Sequence, residues 1–250
     1  MNPIVEICCG SYDDACAAAA GGADRIELNS ALWLGGLTPS LGTLQLVKET
    51  LSLPVAAMVR PRGGGFCYTA GELRVMERDC ALLLEHGAYG IVFGCLREDC
   101  TIDAEASGRL AEIIHGLYGE AVFHRAFDCT PDPFAAMDTL LELGIDRVLT
   151  SGQQPTAPEG VSLLRQLQRR YGSRIQLLAG SGVNPSNAAS LLAETGFSQL
   201  HSSCRSWRRD PTTAPGRVSY AYAPPPHEAM YENTDPQLVG QLVSAVRENR

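Results

Sequence analysis

Along the whole chain, short apolar runs alternate with longer stretches whose apolar residues recur at helical spacing. Ile4–Cys8 is the first short run: Val5 and Ile7 fall on one face of a strand, Glu6 and Cys8 on the other. Ala23–Leu28 repeats the pattern, with Ile26 and Leu28 opposite Arg25, Glu27 and, just beyond, Asn29. Further short strands are predicted at 55–60, 90–94, 122–129, 147–150, 175–179 and 199–201. Helical patterns fill the gaps. Ser11–Asp14 opens an alanine-rich helix that stops at Gly21-Gly22. Thr38–Ser40 precedes a stripe of Leu41, Leu44, Val47 and Leu51. Thr69 and Glu72 have capping-box spacing ahead of Leu73, Met76, Cys80, Leu83 and Leu84. A helix is expected from about Asp103 to His115. Pro133 suits a first helical position, and Gly144 closes the helix it opens. Asn184-Pro185 and Asp235-Pro236 are read as the starts of two more.

Eight strand-then-helix units demand a parallel sheet, and their unbroken run favours closure. The expected fold is α/β, a (β/α)8 TIM barrel forming one domain over residues 1–250. A faint echo supports this: Gly22-Ala23-Asp24-Arg25-Ile26 resembles Gly144-Ile145-Asp146-Arg147-Val148, four units later, as two half-barrels would place it. The irregular segment 205–234, with Pro211, Pro215 and Pro224–Pro226, is long enough to cover the barrel mouth or form an oligomer contact.

The 250 residues carry a net charge of −8, which argues against a nucleic-acid partner because no basic face is present. No apolar run approaches the ~18 residues of a membrane span. Met1-Asn2-Pro3 leads straight into strand-like sequence without a basic start, so a cytoplasmic location is expected. The nine cysteines form no CxxC pair and read as free thiols.

Function in such a barrel sits at the carboxyl ends of the strands. Those ends carry Glu6 and Cys8, Glu27 and Asn29, Arg60 and Arg62, His124, Arg125 and Asp128, Thr150 and Ser151, Gly180–Gly182, and His201–Ser203. Arg60, Arg62 and Arg125 offer forks for a small anionic or phosphorylated ligand. The Gly180-Ser181-Gly182 turn, before a capped helix, and Ser202 would complete the cradle. In that enzyme reading, His124 is the general acid or base, oriented by Asp128 or a glutamate such as Glu27. A divalent-metal enzyme would instead use Glu6, Glu27, His124 and His201. A structural alternative pairs Glu6 and Glu27 with Arg60 and Arg62. Seven cysteines, Cys8, Cys9, Cys67, Cys95, Cys100, Cys129 and Cys204, follow predicted strands, where soft thiolates would select Cu(I) or zinc.

The segments E-I-C-C at 6–9, G-G-A-D-R-I-E-L at 21–28, G-G-L-T-P-S at 35–40, R-P-R-G-G at 60–64, F-H-R-A-F-D at 123–128, R-V-L-T-S-G at 147–152 and H-S-S at 201–203 resemble the CutC family of copper homeostasis proteins. The resemblance spans about residues 4–204. It implies a cytoplasmic TIM barrel, a homodimer or higher homo-oligomer, and copper(I) held by cysteine; it implies no particular reaction. The family's strand-one cysteine falls on Cys8. The cysteine that many members carry after strand two falls on Asn29, so a second thiol such as Cys67 would have to serve. The acidic residue that often follows R-P-R-G-G is Gly65 here.

Overall fold

The computed structural model describes residues 3–213 and 217–247. Eight parallel strands close into a barrel: β1 (Ile4–Cys9), β2 (Arg25–Leu28), β3 (Val55–Met58), β4 (Gly90–Phe93), β5 (Glu120–Phe123), β6 (Arg147–Thr150), β7 (Gln176–Ala179) and β8 (Gln199–Ser202). Each pairs with the next, and β8 returns to β1 with Glu6 opposite His201. Helices α1 (Tyr12–Ala20), α2 (Leu41–Thr50), α3 (Ala70–Glu85), α4 (Ala104–Gly116), α5 (Pro133–Glu142), α6 (Val161–Tyr171) and α7 (Ala188–Thr195) lie between the strands. The expected capping box of α3 is present, Thr69 and Glu72 each bonding the other's backbone N–H.

Strand alternation sorts the side chains into two layers. Val5, Ile7, Ile26, Leu28, Val55, Ile91, Phe93, Phe123, Val148 and Leu200 face outward and are buried under the helices. Each such aliphatic side chain is worth ~1.5–3 kcal/mol of transfer free energy. The inward set is different. Ala56, Met58, Val92 and Val122 form a small apolar plug with Tyr89 against it. The remaining inward space is filled by a polar network. Arg25 ion-pairs with Glu6 and donates to Gln199 Oε1 at 2.6 Å. Gln199 donates to Gln176 Oε1 at 2.7 Å. Arg147 donates to Gln176, to the Tyr89 hydroxyl at 2.9 Å and to Glu120.

The half-barrel echo has a structural counterpart. Asp24 Oδ2 accepts the Val5 N–H at 2.8 Å, and Asp146 Oδ2 accepts the Ala121 N–H at 2.8 Å. In each half the aspartate ties the preceding strand and the next residue, Arg25 or Arg147, enters the barrel.

Two elements depart from the sequence expectation. β5 stops at Phe123 rather than running to Cys129, and Arg125–Cys129 forms a 3-10 turn. The cause is local: His124 turns its ring back and Nδ1 accepts the Ala126 N–H at 3.1 Å, which caps the turn. A Cβ on Gly94 would lie 2.5 Å from that ring, so only glycine fits beside it. The segment after β8 begins and ends in strands. β9 (Arg205–Arg209) pairs antiparallel with β10 (Met230–Thr234), and α8 (Pro236–Arg247) follows. This arm is fastened to α1, where the Thr234 N–H meets buried Asp14 Oδ1 at 2.7 Å.

Removing one partner of a buried ion pair leaves the other uncompensated, at a cost of ~3–5 kcal/mol. Arg25→Ala is therefore expected to lower the unfolding free energy by about that amount in urea titration. A loss below ~1 kcal/mol would show that the network does not hold the barrel.

Candidate functional site

At the mouth of the barrel, β1, β2 and β8 bring three donors together. Cys8 Sγ, a Glu27 carboxylate oxygen and a His201 ring nitrogen lie within 4.8 Å of one another. Strand parity delivers them: Cys8 is two residues beyond Glu6, Glu27 two beyond Arg25, and His201 two beyond Gln199, all facing inward. Glu6 sits beneath, its carboxylate shared between Arg25 and His201 Nδ1, the latter at 2.7 Å. That bond fixes the ring and leaves His201 Nε2 for the mouth. Asn29 Nδ2 donates to Glu27 Oε1 at 2.9 Å and to Cys8 Sγ at 3.4 Å. Glu27 Oε2 is buried without any partner.

The charges interlock. Burial would raise the Glu6 carboxyl, but Arg25 and then His201 bring it down to about 2. Burial raises Glu27, aided by the Glu6 charge, while His201 and the Asn29 and Cys8 hydrogen bonds oppose the rise. Burial works against the His201 imidazolium, yet Glu27 and Glu6 outweigh it and raise its pKa. Burial, with Glu27, Cys9 and Glu6 nearby, pushes the Cys8 thiol well above its ordinary range. Without a cation, the site favours a thiol rather than a thiolate.

Most of the other expected residues have structural partners instead. Arg60 is buried and donates to the carbonyls of Leu34, Gly36 and Gly64, pinning the loops after β2 and β3. Arg62 pairs with Glu72 at 2.5 Å and bonds the carbonyls of Gly63, Gly65 and Cys67. Neither lines a mouth cavity, and neither pairs with Glu6 or Glu27. Asp128 does not orient His124. It accepts from Thr150 Oγ1, Ser151, the Gln153 N–H and Arg125. His124 lies apart from the donor trio, 4.8 Å from the Phe66 ring centroid, with Nε2 buried and unpartnered. Burial and then the Arg60 charge lower its pKa to about 3, so it is neutral. Neither mouth cavity is lined by His124, which removes the geometry needed for its acid–base role.

Ser181, Gly182 and Ser202 do reach the mouth, but Gly180 does not line it, and Ser202 Oγ is engaged with Val183 O at 2.7 Å. The following helix begins only at Ala188, so the turn is not the helix N-terminus that the sequence suggested. All nine cysteines are free. The pair Cys8 and Cys67 is not assembled: Cys67 is exposed on the loop beside Arg62, while the donors gathered at Cys8 are Glu27 and His201. Of the proposed divalent set, Glu27 and His201 meet, Glu6 is bound beneath them, and His124 is elsewhere. Sequence reading missed Arg205, which comes off β8 and walls two cavities that share Cys8, of about 220 and 460 Å³. Its place after H-S-S was the available signal.

Comparison with known proteins agrees with this architecture. The CutC family model matches residues 3–206. The chain belongs to the CutC family. It is similar to a CutC family protein of Treponema denticola, 49% identical over 85% of each chain. It is also similar to the human copper homeostasis protein cutC homolog, 45% identical over 82% of this chain and 74% of the human one. A solved structure of the copper homeostasis protein CutC from Streptococcus agalactiae superposes with a TM-score of 0.76 at 33% identity, covering 80% of this chain and 98% of that one. No described helix is long and apolar enough to cross a membrane.

A histidine whose folded pKa is depressed takes up its proton only after unfolding across that interval. Its contribution to stability is intact above about 6.5 and is lost as pH falls toward about 3. Glu6, also depressed, loses its contribution as pH falls from 4.5 to about 2. His124→Gln should therefore flatten the fall in urea midpoint between pH 6.5 and 4. An NMR titration midpoint for His124 near 6.5 would contradict this.

Proposed function

We propose that this chain serves copper homeostasis by holding one copper ion at the mouth of its barrel. Cys8 Sγ and His201 Nε2 would be the principal ligands, with the Glu27 carboxylate beside them. The observation that carries the reading is the trio itself: it is the group of metal-competent donors assembled among the described residues, and Glu27 Oε2 within it is buried and unpaired. A buried unpaired carboxylate oxygen is costly unless a cation or donor meets it. Thiolate and imidazole are the softer members of the set and suit Cu(I), while the carboxylate offsets charge. Asn29 turns its amide nitrogen toward Cys8 and Glu27, so it orients them and supplies no second sulfur. The family resemblance also supports a cytoplasmic protein working as a homodimer or higher homo-oligomer.

Binding must expel the Cys8 thiol proton, and that thiol resists ionisation. Affinity should therefore rise steeply with pH. Loss of a supporting partner typically weakens a metal site ~10–100-fold, and loss of a ligand costs more. In Cu(I) competition against a chelator of known affinity, Cys8→Ser and His201→Ala should each weaken binding by at least ~100-fold. Asn29→Cys, which adds a thiolate, should tighten it. Affinity indifferent to Cys8 would overturn the proposal.

A further inference from the structure

The larger mouth cavity, about 460 Å³, is lined by Cys8, Leu149 and His201 together with two arginines and the 181–183 turn. Copper uses only Cys8 and His201 of these. On the rim stand Arg125 and Arg205, with side chains 39% and 53% exposed, in a chain whose net charge is −8. Arg125 is braced rather than consumed. Asp128 holds Nε at 2.9 Å, Ser151 Oγ and Gln154 O hold Nη2 at 2.8 and 3.4 Å, Nη1 carries no hydrogen bond among the described residues, and Arg125 lines the cavity. Arg205 is held through Nη1 by Glu232 on β10 and likewise lines it.

Between these cations runs the turn Ser181–Gly182–Val183. Ser181 adopts the left-handed conformation, φ +75°, and Gly182 follows at +69°. The carbonyls of this turn are occupied: Ser181 O accepts the Ala157 N–H at 2.9 Å, Gly182 O accepts Asn187 Nδ2 at 2.8 Å and Asn184 Nδ2 at 3.3 Å, and Val183 O accepts Ser202 Oγ at 2.7 Å. Among the described residues, none of the N–H groups of Ser181, Gly182 and Val183 is bonded to an acceptor. Successive unpaired amides facing a concavity form an anion cradle. Beneath them His201, nine-tenths buried, is held at Nδ1 by Glu6 and turns Nε2 to the same cavity.

We propose that this cavity binds the phosphoryl group of a small phosphorylated molecule. The rim arginines and the 181–183 amides grip the phosphate oxygens, and the organic part reaches down toward Cys8 and His201. Two guanidinium groups with nitrogens to spare and a row of amides suit the several oxygens of a tetrahedral dianion better than the two of a planar carboxylate. The volume lies within the range of small-ligand pockets. This subsite does not depend on copper. Its cations belong to the β5–β6 connection and to β9, whereas the metal donors belong to β1, β2 and β8.

The test is isothermal calorimetry of the intact, metal-free protein with inorganic phosphate, sulfate, glycerol 3-phosphate and glycerol, at fixed ionic strength. Glycerol 3-phosphate is expected to bind more tightly than phosphate, and glycerol not at all. Arg125→Gln and Arg205→Gln should each weaken phosphate binding by about tenfold or more, as expected for loss of a charge-assisted fork. Both should keep the wild-type Cu(I) affinity, and Cys8→Ser should keep phosphate binding. Arg205 is exposed on the arm, so its variant remains informative if Arg125→Gln disturbs the Asp128 cluster. Absence of phosphate binding, or binding unchanged in both variants, would overturn the proposal. Equal binding of sulfate and phosphate with no gain from the glycerol moiety would mean an adventitious ion only, and would overturn it too.

Discussion

A carboxylate buried at the centre of a barrel must be neutralised, and the Glu6–Arg25 pair does this. Glu6 is 2% exposed and Arg25 is 5% exposed. The pair joins β1 to β2, and the second Glu6 oxygen reaches His201 on β8, which closes the barrel. Gln199 and Gln176 carry the network from Arg25 across to Arg147 and Glu120 on the opposite wall. An apolar filling of equal volume would often be as stable or more so. The polar filling does something an apolar one cannot: it fixes the direction of the His201 ring and sets the field felt by Glu27 and Cys8.

The consequence at the mouth is a division of labour. Charged residues that look catalytic in the sequence are mostly fasteners. Arg60 stitches loops through three carbonyls, Arg62 closes on the α3 capping box, and Asp128 gathers the turn after β6. What remains open is a donor trio with one unpaired carboxylate oxygen and, above it, a rim of cations and free amides. The raised pKa values of Cys8 and Glu27 follow from burial, helped by the Glu27 charge at Cys8 and by the Glu6 charge at Glu27. An arriving cation would reverse that cost by replacing protons with a metal charge.

The barrel was legible because period-2 runs and helical stripes alternate eight times, and strand parity correctly separated Glu6, Cys8, Arg25 and Glu27 from the outward layer. The Asp24-Arg25 and Asp146-Arg147 echo proved to be a repeated wiring of strand ends. Partner choice was not legible. Whether Arg60 meets a ligand or three carbonyls depends on loops 30–37 and 60–68, whose paths carry no periodicity. The strand expected over 122–129, and with it the orientation of His124 by Asp128, failed because a single ring-to-backbone bond ended β5 at Phe123. The trio itself was only half visible: Glu27 and His201 had been grouped as oxygen and imidazole ligands. Cys8 reads from the sequence as half of a thiol pair, because closure of the barrel places β8 beside β1 without saying which mouth side chains meet.

The most direct measurement is X-ray absorption at the copper edge on the copper-loaded protein. One sulfur and at least one imidazole nitrogen per copper is the predicted coordination, with the sulfur absent in Cys8→Ser. Two sulfurs per copper, or a shell unchanged by the Cys8 substitution, would contradict the Cys8–Glu27–His201 centre.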